Sequence, residues 1–378
     1  MSSAGYADGD PRFIAALEAY NRLGQYVLVA KELGIPNTTA ERWVKRAKAW
    51  DVAPQGQRDA VEITKLDYGT AKGGWIKTNA AGEVTGHSVR WTAPQEQDDP
   101  TRIIDAIREG LADMPRATHV DSETGSVDLL AVFPVADLHI GMLADLEETG
   151  HDWDGKKATR VFQDVFGRLV SVTPGAGTAL LAQLGDLMHV DDQTNLTQSG
   201  HQLDADTRYF MILRRAVVAM KFAIDTLRAK YARVIYRGCR GNHDRTAHYA
   251  VTLALSQHYA DVDGVTIVDH AGEFYVHEFG KNMIVLHHGD KANAARMVNF
   301  AAAEWPEIWG RTRNRLALSG HIHHETRKEI GGMTCESIGT IIPRDAYAYG
   351  HAYSANRALV SITMDAAQGE VSRARVGI

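Results

Sequence analysis

The chain has 378 residues and a formal net charge of −6, and its hydrophobic and charged contents are those of a soluble globular protein. This length predicts two or three domains and excludes a mainly disordered or collagen-like chain. No apolar run approaches the roughly 20 residues that cross a bilayer, and no secretory signal is recognised, so no membrane attachment is expected. With only two cysteines, Cys239 and Cys335, the sequence favours a cytoplasmic protein.

Histidine and charge are unevenly distributed along the chain. Of the 17 histidines, only His87 and His119 precede residue 131, so metal or acid–base chemistry is expected in the later part. Residues 11–50 carry seven Lys and Arg against three Glu, a balance of +4, which leaves −10 for the remainder. A basic head on an acidic body is typical of a catalytic domain joined to a nucleic-acid-binding module.

Residues 1–50 predict three short helices. Apolar residues at helical spacing cover Pro11–Leu23 and Tyr26–Leu33, and a third helix starts near Thr38 after a turn at Gly34. The glycine-containing turn and the basic face of the last helix resemble a helix-turn-helix DNA-binding unit. The alternative is a helical dimerisation or docking module. The residues expected to face DNA are basic and belong to the third helix: Arg42, Lys45 and Arg46.

Residues 51–125 predict a β-rich connector. Val61–Leu66, Gly74–Lys77 and Val84–Thr92 alternate apolar and polar residues, so a small antiparallel hairpin is expected. Thr101–Leu111 has the spacing of a helix. The sequence of this connector indicates no catalytic chemistry.

Residues 126–378 alternate strands with helices, which predicts an α/β layered domain. The expected strands are Leu129–Val135, Ala179–Leu184, Ala232–Arg237, Phe274–Glu278, Asn282–Leu286, Leu316–Ser319, Arg357–Thr363 and Glu370–Arg375. The expected helices are Thr159–Val172, Thr207–Lys230 and Thr246–Tyr259.

Polar residues of metal-binding types follow five of these strands. The segments are Asp137-Leu138-His139, Gly185-Asp186, Gly241-Asn242-His243-Asp244, His287-His288-Gly289 and Gly320-His321-Ile322-His323. Because the carboxyl ends of parallel strands open onto one crevice, a single site is expected. Imidazole, carboxylate and amide donors suit Mn²⁺, Fe²⁺ or Zn²⁺, and seven of them are too many for one ion with an open position. Two ions that share a carboxylate can hold a hydroxide and hydrolyse a phosphate ester.

The order D-x-H, G-D, G-N-H-D, H-G, G-H-x-H resembles the calcineurin-like metallophosphoesterase superfamily over about residues 130–345. The resemblance implies a two-sheet α/β sandwich flanked by helices, with two divalent ions, Mn²⁺ in the first place, along one edge. It assigns Asp137, His139 and His323 to the first ion, Asp186 to a bridge, and Asn242, His288 and His321 to the second ion. His287 is the alternative to His288.

The same resemblance suggests catalytic residues. It makes His243 the histidine beside the scissile phosphate and gives Asp244 the task of orienting that loop. His189 stands where the protein phosphatases of the superfamily carry Asp, and this is similar to the double-strand-break repair nucleases, whose second histidine acts beside the phosphate. A turn residue without a catalytic role is the alternative for His189. The long segment before Asp137 and the short one of about 35 residues after Pro343 both depart from those nucleases, so their ATP-driven complex is not expected.

Other residues could contact the substrate. Arg240 directly precedes the G-N-H-D loop, and His201 follows Asp186 in a loop that could line the cleft. A later loop is rich in aromatic residues that could stack on bases or cover the edge of the sandwich: Tyr347, Tyr349, His351 and Tyr353.

These observations favour a metal-dependent DNA nuclease that its helix-turn-helix recruits to DNA. A phosphatase, or a phosphodiesterase for cyclic nucleotides or other small molecules, is the first alternative. A DNA-binding regulator with a vestigial metal site is the second. The sequence leaves homo-oligomerisation open.

Overall fold

A computed structural model describes residues 11–51, 71–78, 84–91, 125–196 and 202–378. The chain divides into two units, one up to Gln97 and one from Asp98. The division into residues 1–50, 51–125 and 126–378 stays a prediction. Three expected features lie outside the described residues: the strand Val61–Leu66, the helix Thr101–Leu111 and His201.

The first unit contains the three expected helices, α1 (Pro11–Leu23), α2 (Tyr26–Leu33) and α3 (Asn37–Asp51). Because α3 begins at Asn37, it starts slightly before the expected Thr38. The buried residues that join the helices are small or β-branched: Ala16, Ala19, Val29, Ala30, Ala40 and Val44. Gly34 ends α2 with φ of 64°, a left-handed conformation that glycine adopts without strain.

The expected hairpin is confirmed in the same unit. Strands β1 (Ala71–Thr78) and β2 (Val84–Trp91) pair antiparallel, with Trp75 opposite Ser88. The register shifts near both ends of β1.

The second unit contains two sheets. The larger has six strands in the order β13-β12-β3-β4-β5-β6, in which β3 to β6 are parallel. Its strands are β3 (Leu129–Val135), β4 (Thr178–Gln183), β5 (Arg233–Gly238), β6 (Val265–Ile267), β12 (Ala358–Asp365) and β13 (Gly369–Gly377). The smaller has the order β10-β11-β9-β8-β7. Its strands are β7 (Tyr275–Phe279), β8 (Asn282–Leu286), β9 (Asn314–Ser319), β10 (Thr326–Ile330) and β11 (Met333–Ser337).

Helices cover the outer faces of both sheets. The helices of this unit are α4 (Leu146–Thr149), α5 (Gly155–Val172), α6 (Tyr209–Arg228), α7 (Ala247–His258), α8 (Ala294–Glu304), α9 (Pro306–Arg311) and α10 (Ala346–Gly350). Side chains of β3 point alternately to the two faces of the larger sheet. Phe133 packs on the face covered by α5 to α7, and Leu130 and Val132 pack on the face that meets the smaller sheet. The expected two-sheet sandwich flanked by helices is therefore confirmed.

Several short elements were not expected from the sequence. Strand β10 carries mostly polar residues on an exposed sheet edge, so it lacks the apolar alternation of a half-buried strand. Helix α8 did have a signal, since Asn293 caps it by accepting the N–H of Arg296. Helix α5 begins at Gly155 and not at Thr159, because Asp154 caps it by accepting the N–H of Lys157.

None of the helices in the described ranges combines the length and the apolar character that a bilayer crossing requires.

We expect Leu180→Ala to lower the free energy of unfolding by about 2–5 kcal/mol, because it opens a cavity between the two sheets where Leu180 is fully buried. Urea denaturation followed by circular dichroism measures this change. The matched control is Leu253→Ala on α7, where the side chain is 51% exposed and the expected change is below about 0.5 kcal/mol. Equal losses of unfolding free energy in the two variants would contradict the placement of Leu180 in the core.

Candidate metal centre

Five loops meet at one edge of the sandwich. Strands β3, β4 and β5 are parallel neighbours, and so are β8 and β9. The expected ligands follow the carboxyl ends of these strands: Asp137 and His139 after β3, Asp186 after β4, Asn242 after β5, His288 after β8, and His321 and His323 after β9. Backbone hydrogen bonds continue past the sheet, since the N–H of His139 donates to the carbonyl of Asp186 at 2.9 Å.

The backbone is left-handed at most of these positions. Five expected ligands have φ between 38° and 74°: Asp137, His139, Asp186, His321 and His323. This conformation costs an L-residue about 1–2 kcal/mol. Among the other described residues that are not glycine, only Asn195 and Ala352 adopt it. Such strain concentrates at functional sites, where the surrounding structure enforces it.

The glycines of the motifs allow the loops to approach one another. A Cβ at Gly241 would lie 1.9 Å from Oδ1 of Asp186, and one at Gly320 would lie 2.6 Å from Oδ2 of Asp137. A Cβ at Gly185 would lie 2.4 Å from Nδ1 of His288. A side chain at any of the three would displace an expected ligand, so the glycines belong to the site as spacers.

One group of donors lies where the first ion was expected. Asp137, His139 and His323 offer donor atoms that all lie within 4.8 Å of one another. Nε2 of His139 is 3.1 Å from Nε2 of His323, which is 3.6 Å from Oδ1 of Asp137. The N–H of His321 donates to Oδ2 of Asp137 at 2.9 Å and fixes that carboxylate.

A second group forms around His288. Asp186, His288 and His321 again offer donors within 4.8 Å of one another, and Oδ1 of Asn242 lies 3.0 Å from Nε2 of His288. Oδ2 of Asp186 is 3.3 Å from Nε2 of His288 and 3.7 Å from Nε2 of His139. This single oxygen therefore lies between the two groups.

The spacing of the donors fits divalent ions. Two ligands that are each about 2.1 Å from an ion are about 3.0–3.4 Å apart at octahedral to tetrahedral angles. The contacts between imidazole, carboxylate and amide atoms described above, at 3.0–3.7 Å, are close to that range. The donors therefore lie almost where coordination would place them.

Burial shifts the pKa values of the first group towards the neutral forms. It raises the pKa of Asp137 to about 8, lowers that of His323 to about 4, and lowers that of His139 well below its usual range. Neutral imidazoles are the form that binds metal. A divalent cation beside Asp137 would favour the ionised form of its carboxyl group, which burial disfavours.

In the second group, Asp186 and His288 form an ion pair, with Oδ2 of Asp186 at 3.3 Å from Nε2 of His288. Burial lowers the pKa of His288, but the neighbouring Asp186 carboxylate outweighs burial and raises that pKa to about 10. Burial also disfavours the charge of Asp186, but the neighbouring His288 holds the pKa of Asp186 well below its usual value. Nδ1 of His288 donates to the carbonyl of Leu184 at 2.8 Å, which turns Nε2 towards Asp186.

His243 lies beside both groups. Its backbone N–H donates to Oδ1 of Asp186 at 2.8 Å, and its Nδ1 is 2.9 Å from the carbonyl of His189. The His189 side chain is only 3% exposed, with Nδ1 at 3.2 Å from Nδ1 of His139 and its ring stacked on that of His243. His189 therefore lies beneath the site, against an expected ligand.

Asp244 is fully buried and holds loops together. Its Oδ1 accepts the N–H of Gly241 at 2.8 Å, and its Oδ2 accepts the N–H of Leu187 at 2.8 Å. Burial raises the pKa of Asp244 to about 7. These backbone contacts tie the loop after β5 to the loop after β4, so Asp244 positions the site without reaching into the cleft.

The other expected substrate residues have different surroundings. Arg240 forms an ion pair with Glu273, which also pairs with Lys291 at 2.6 Å. His287 stacks on Phe274 and turns away from the donors, while His288 faces Asp186. His201 lies outside the described residues.

In the first unit, Arg42 and Lys45 are exposed on α3, and Lys45 pairs with Glu41 at 2.7 Å. The side chain of Arg46 is outside the part of the chain that the structure describes.

Two supporting residues gave no signal in the sequence. The hydroxyl of Thr340 donates to the carbonyl of Asp137 at 2.6 Å, across about 200 residues of chain. Glu273 neutralises Arg240 from a loop before β7. Both contacts join segments that are distant in sequence, and neither residue belongs to a recognisable motif.

No protein-family model matches the sequence, and a search of curated proteins found no relative. Among solved structures, the chain is similar to a predicted phosphoesterase from Streptococcus pneumoniae, with 14% identity over 66% of this chain and 98% of that one and a TM-score of 0.28. It is also similar to an archaeal phosphodiesterase (11%, 66% and 99%, TM-score 0.29) and to the E. coli phosphoesterase Yfce (12%, 65% and 100%, TM-score 0.30). These likenesses are too low to assign a function to this chain.

We expect Gly241→Ala to weaken Mn²⁺ binding about 10–100-fold, because the new methyl group would displace Asp186. Isothermal titration calorimetry with Mn²⁺ measures this affinity. The matched control is Gly167→Ala in α5, where a Cβ meets no atom within 4 Å and alanine should stabilise the helix by up to about 1 kcal/mol. Unchanged Mn²⁺ affinity in a folded Gly241→Ala protein would contradict the assignment of Asp186 as a metal ligand.

Proposed function

We propose that the chain is a metal-dependent phosphodiesterase of the calcineurin-like metallophosphoesterase superfamily, with DNA as its substrate. The observation that carries this proposal is the position of Oδ2 of Asp186, within 3.3 Å of His288 and 3.7 Å of His139. A carboxylate between two donor groups is placed so that it could contact both ions of a two-metal centre.

The residues divide into two ligand sets. Asp137, His139 and His323 would hold one ion, Asn242, His288 and His321 the second, and Asp186 would contact both. We expect Mn²⁺, with Fe²⁺ or Zn²⁺ as alternatives, because these ions accept mixed imidazole and oxygen ligands. Two such ions would activate water and neutralise the charge of a phosphate ester.

His243 would act on the leaving group. Because its Nδ1 faces the carbonyl of His189, Nε2 is the ring atom left to give a proton to the leaving oxygen. The ring of His189 stacks on that of His243 and limits its rotation. Asp244 holds the backbone of the same loop, so each of the three has a distinct task.

DNA is favoured over a small phosphodiester by the first unit. Its last helix exposes Arg42 and Lys45, whereas the remainder of the chain is acidic. Phosphate contacts need Lys and Arg, so a basic helix-turn-helix would supply affinity that an acidic catalytic unit lacks. The complete donor set disfavours a regulator with a vestigial site.

We expect Asp186→Asn to reduce Mn²⁺-dependent hydrolysis by about a thousandfold or more, since the loss of several kcal/mol of metal stabilisation has that effect on a rate. The rates to measure are those on single-stranded DNA, duplex DNA, a bis-aryl phosphodiester and a phosphomonoester, each with Mn²⁺ and with EDTA.

The matched control is Asp164→Asn, a 65% exposed carboxylate on α5, which should keep full activity. Full activity of folded Asp186→Asn would reject the metal assignment. A preference for the monoester would support a phosphatase in place of a nuclease, and no turnover of any substrate with metal would support the regulator.

We expect the double change Arg42→Ala and Lys45→Ala to weaken DNA binding at all sequences. It should also reduce the slope of log affinity against log salt by up to about 1.8, because two phosphate contacts are lost. Fluorescence anisotropy at several salt concentrations gives both quantities. The matched control is Arg22→Ala with Lys31→Ala, which removes the same charges from exposed positions on α1 and α2. Equal effects of the two double variants would contradict a role for α3.

A further inference from the structure

The segment around α10 exposes a set of aromatic rings that we call the aromatic ladder: Tyr347, His351 and Tyr353. The ring centroids of Tyr347 and His351 are 4.2 Å apart, and those of His351 and Tyr353 are 5.8 Å apart. The successive ring planes differ by 34° and 26°. Tyr347 is 63% exposed and Tyr353 is 59% exposed, so large flat faces meet water instead of the core.

The ladder is held in place by its own backbone. Asp345 caps α10 by accepting the N–H of Ala348, and the N–H of Tyr353 donates to the carbonyl of Ala348 at 2.9 Å. Nδ1 of His351 lies 2.8 Å from the carbonyl of Tyr347, which restricts the imidazole that sits between the two tyrosines. These contacts fix the backbone that carries the rings, which lowers the entropic cost of binding.

The chain that leads to the ladder passes the candidate metal centre. Thr340 donates to the carbonyl of Asp137, and Ile342 is buried with Met142, which follows His139 by three residues. Arg344 then donates to the carbonyl of Thr149 at 3.3 Å, and α10 packs against α4. The ladder is thus fixed to the loop that leaves an expected ligand.

The charges around the ladder favour bases over phosphates as the groups that it contacts. Glu147 and Glu148 lie on α4, the helix packed against α10, and they would repel a phosphate backbone. The guanidinium of Arg344 lies over the ring of Tyr349, 4.6 Å from its centroid. Exposed rings that pack on one another offer a platform on which the flat face of an uncharged nucleobase can stack.

We propose that the aromatic ladder stacks on the unpaired bases of a single-stranded nucleic acid whose backbone enters the candidate metal centre. The inference rests on the proposed function and specifies its substrate as unpaired strand. A duplex hides its base faces within the helix, so the ladder discriminates against it.

The test compares three substrates on the full chain with Mn²⁺: a single-stranded oligonucleotide, a strand of equal length with abasic sugars, and a bis-aryl phosphodiester. The variants are Tyr347→Ala and Tyr353→Ala, with Tyr347→Phe and Tyr353→Phe as controls that keep the rings. We expect each alanine variant to raise KM for the oligonucleotide about tenfold and the phenylalanine variants to leave it unchanged. The abasic strand and the small diester should respond to neither change.

Binding is measured separately, by fluorescence anisotropy of the same oligonucleotide in EDTA, so that the ladder is tested even if hydrolysis fails. Tenfold weaker binding by the alanine variants supports the ladder whatever the outcome for the proposed function. Equal affinity and equal KM for wild type and alanine variants would overturn it and leave a protein surface as the alternative. Equal losses on the abasic strand would also overturn it, because stacking needs bases.

Discussion

The rest of the candidate site depends on the contacts of one buried carboxylate, that of Asp186. One oxygen accepts the backbone N–H of His243, and the other lies between His139 and His288. A charge buried this deeply is unstable without opposite charge, and the imidazolium of His288 supplies it. Any change that moves Asp186 therefore disturbs both donor groups at once.

The sandwich provides the rigidity that this arrangement requires. Left-handed backbone at five expected ligands and the burial of Asp137 both cost free energy, and they persist because the surrounding layers are packed. Glycines at 185, 241 and 320 let the loops approach until donor atoms are about 3 Å apart. Because the loops are so close, a side chain at any of these three glycines would push an expected ligand out of position.

The two units would divide the recognition of nucleic acid by chemistry. The basic face of α3 suits phosphates, whereas the acidic second unit would contact bases through exposed rings such as Tyr347. Stacking is insensitive to the sign of nearby charge, so an acidic surface does not prevent it. Such a division would reconcile a net charge of −6 with the proposed polyanionic substrate.

The local sequence pattern was enough to predict most strands of the second unit and the loops that carry the candidate site. Apolar runs such as Leu129–Val135, followed by turns with Asp, His and Gly, located the strands and the loops of the site, because strand periodicity and turn chemistry are short-range properties. The order of the motifs, through the resemblance, already grouped the expected ligands, but only the tertiary structure brings their atoms together, since Asp137 and the N–H of His321 are 184 residues apart. It also placed His288 against Asp186, His189 beneath His139 and Arg240 against Glu273. Those contacts depend on how distant loops pack, which no local spacing encodes.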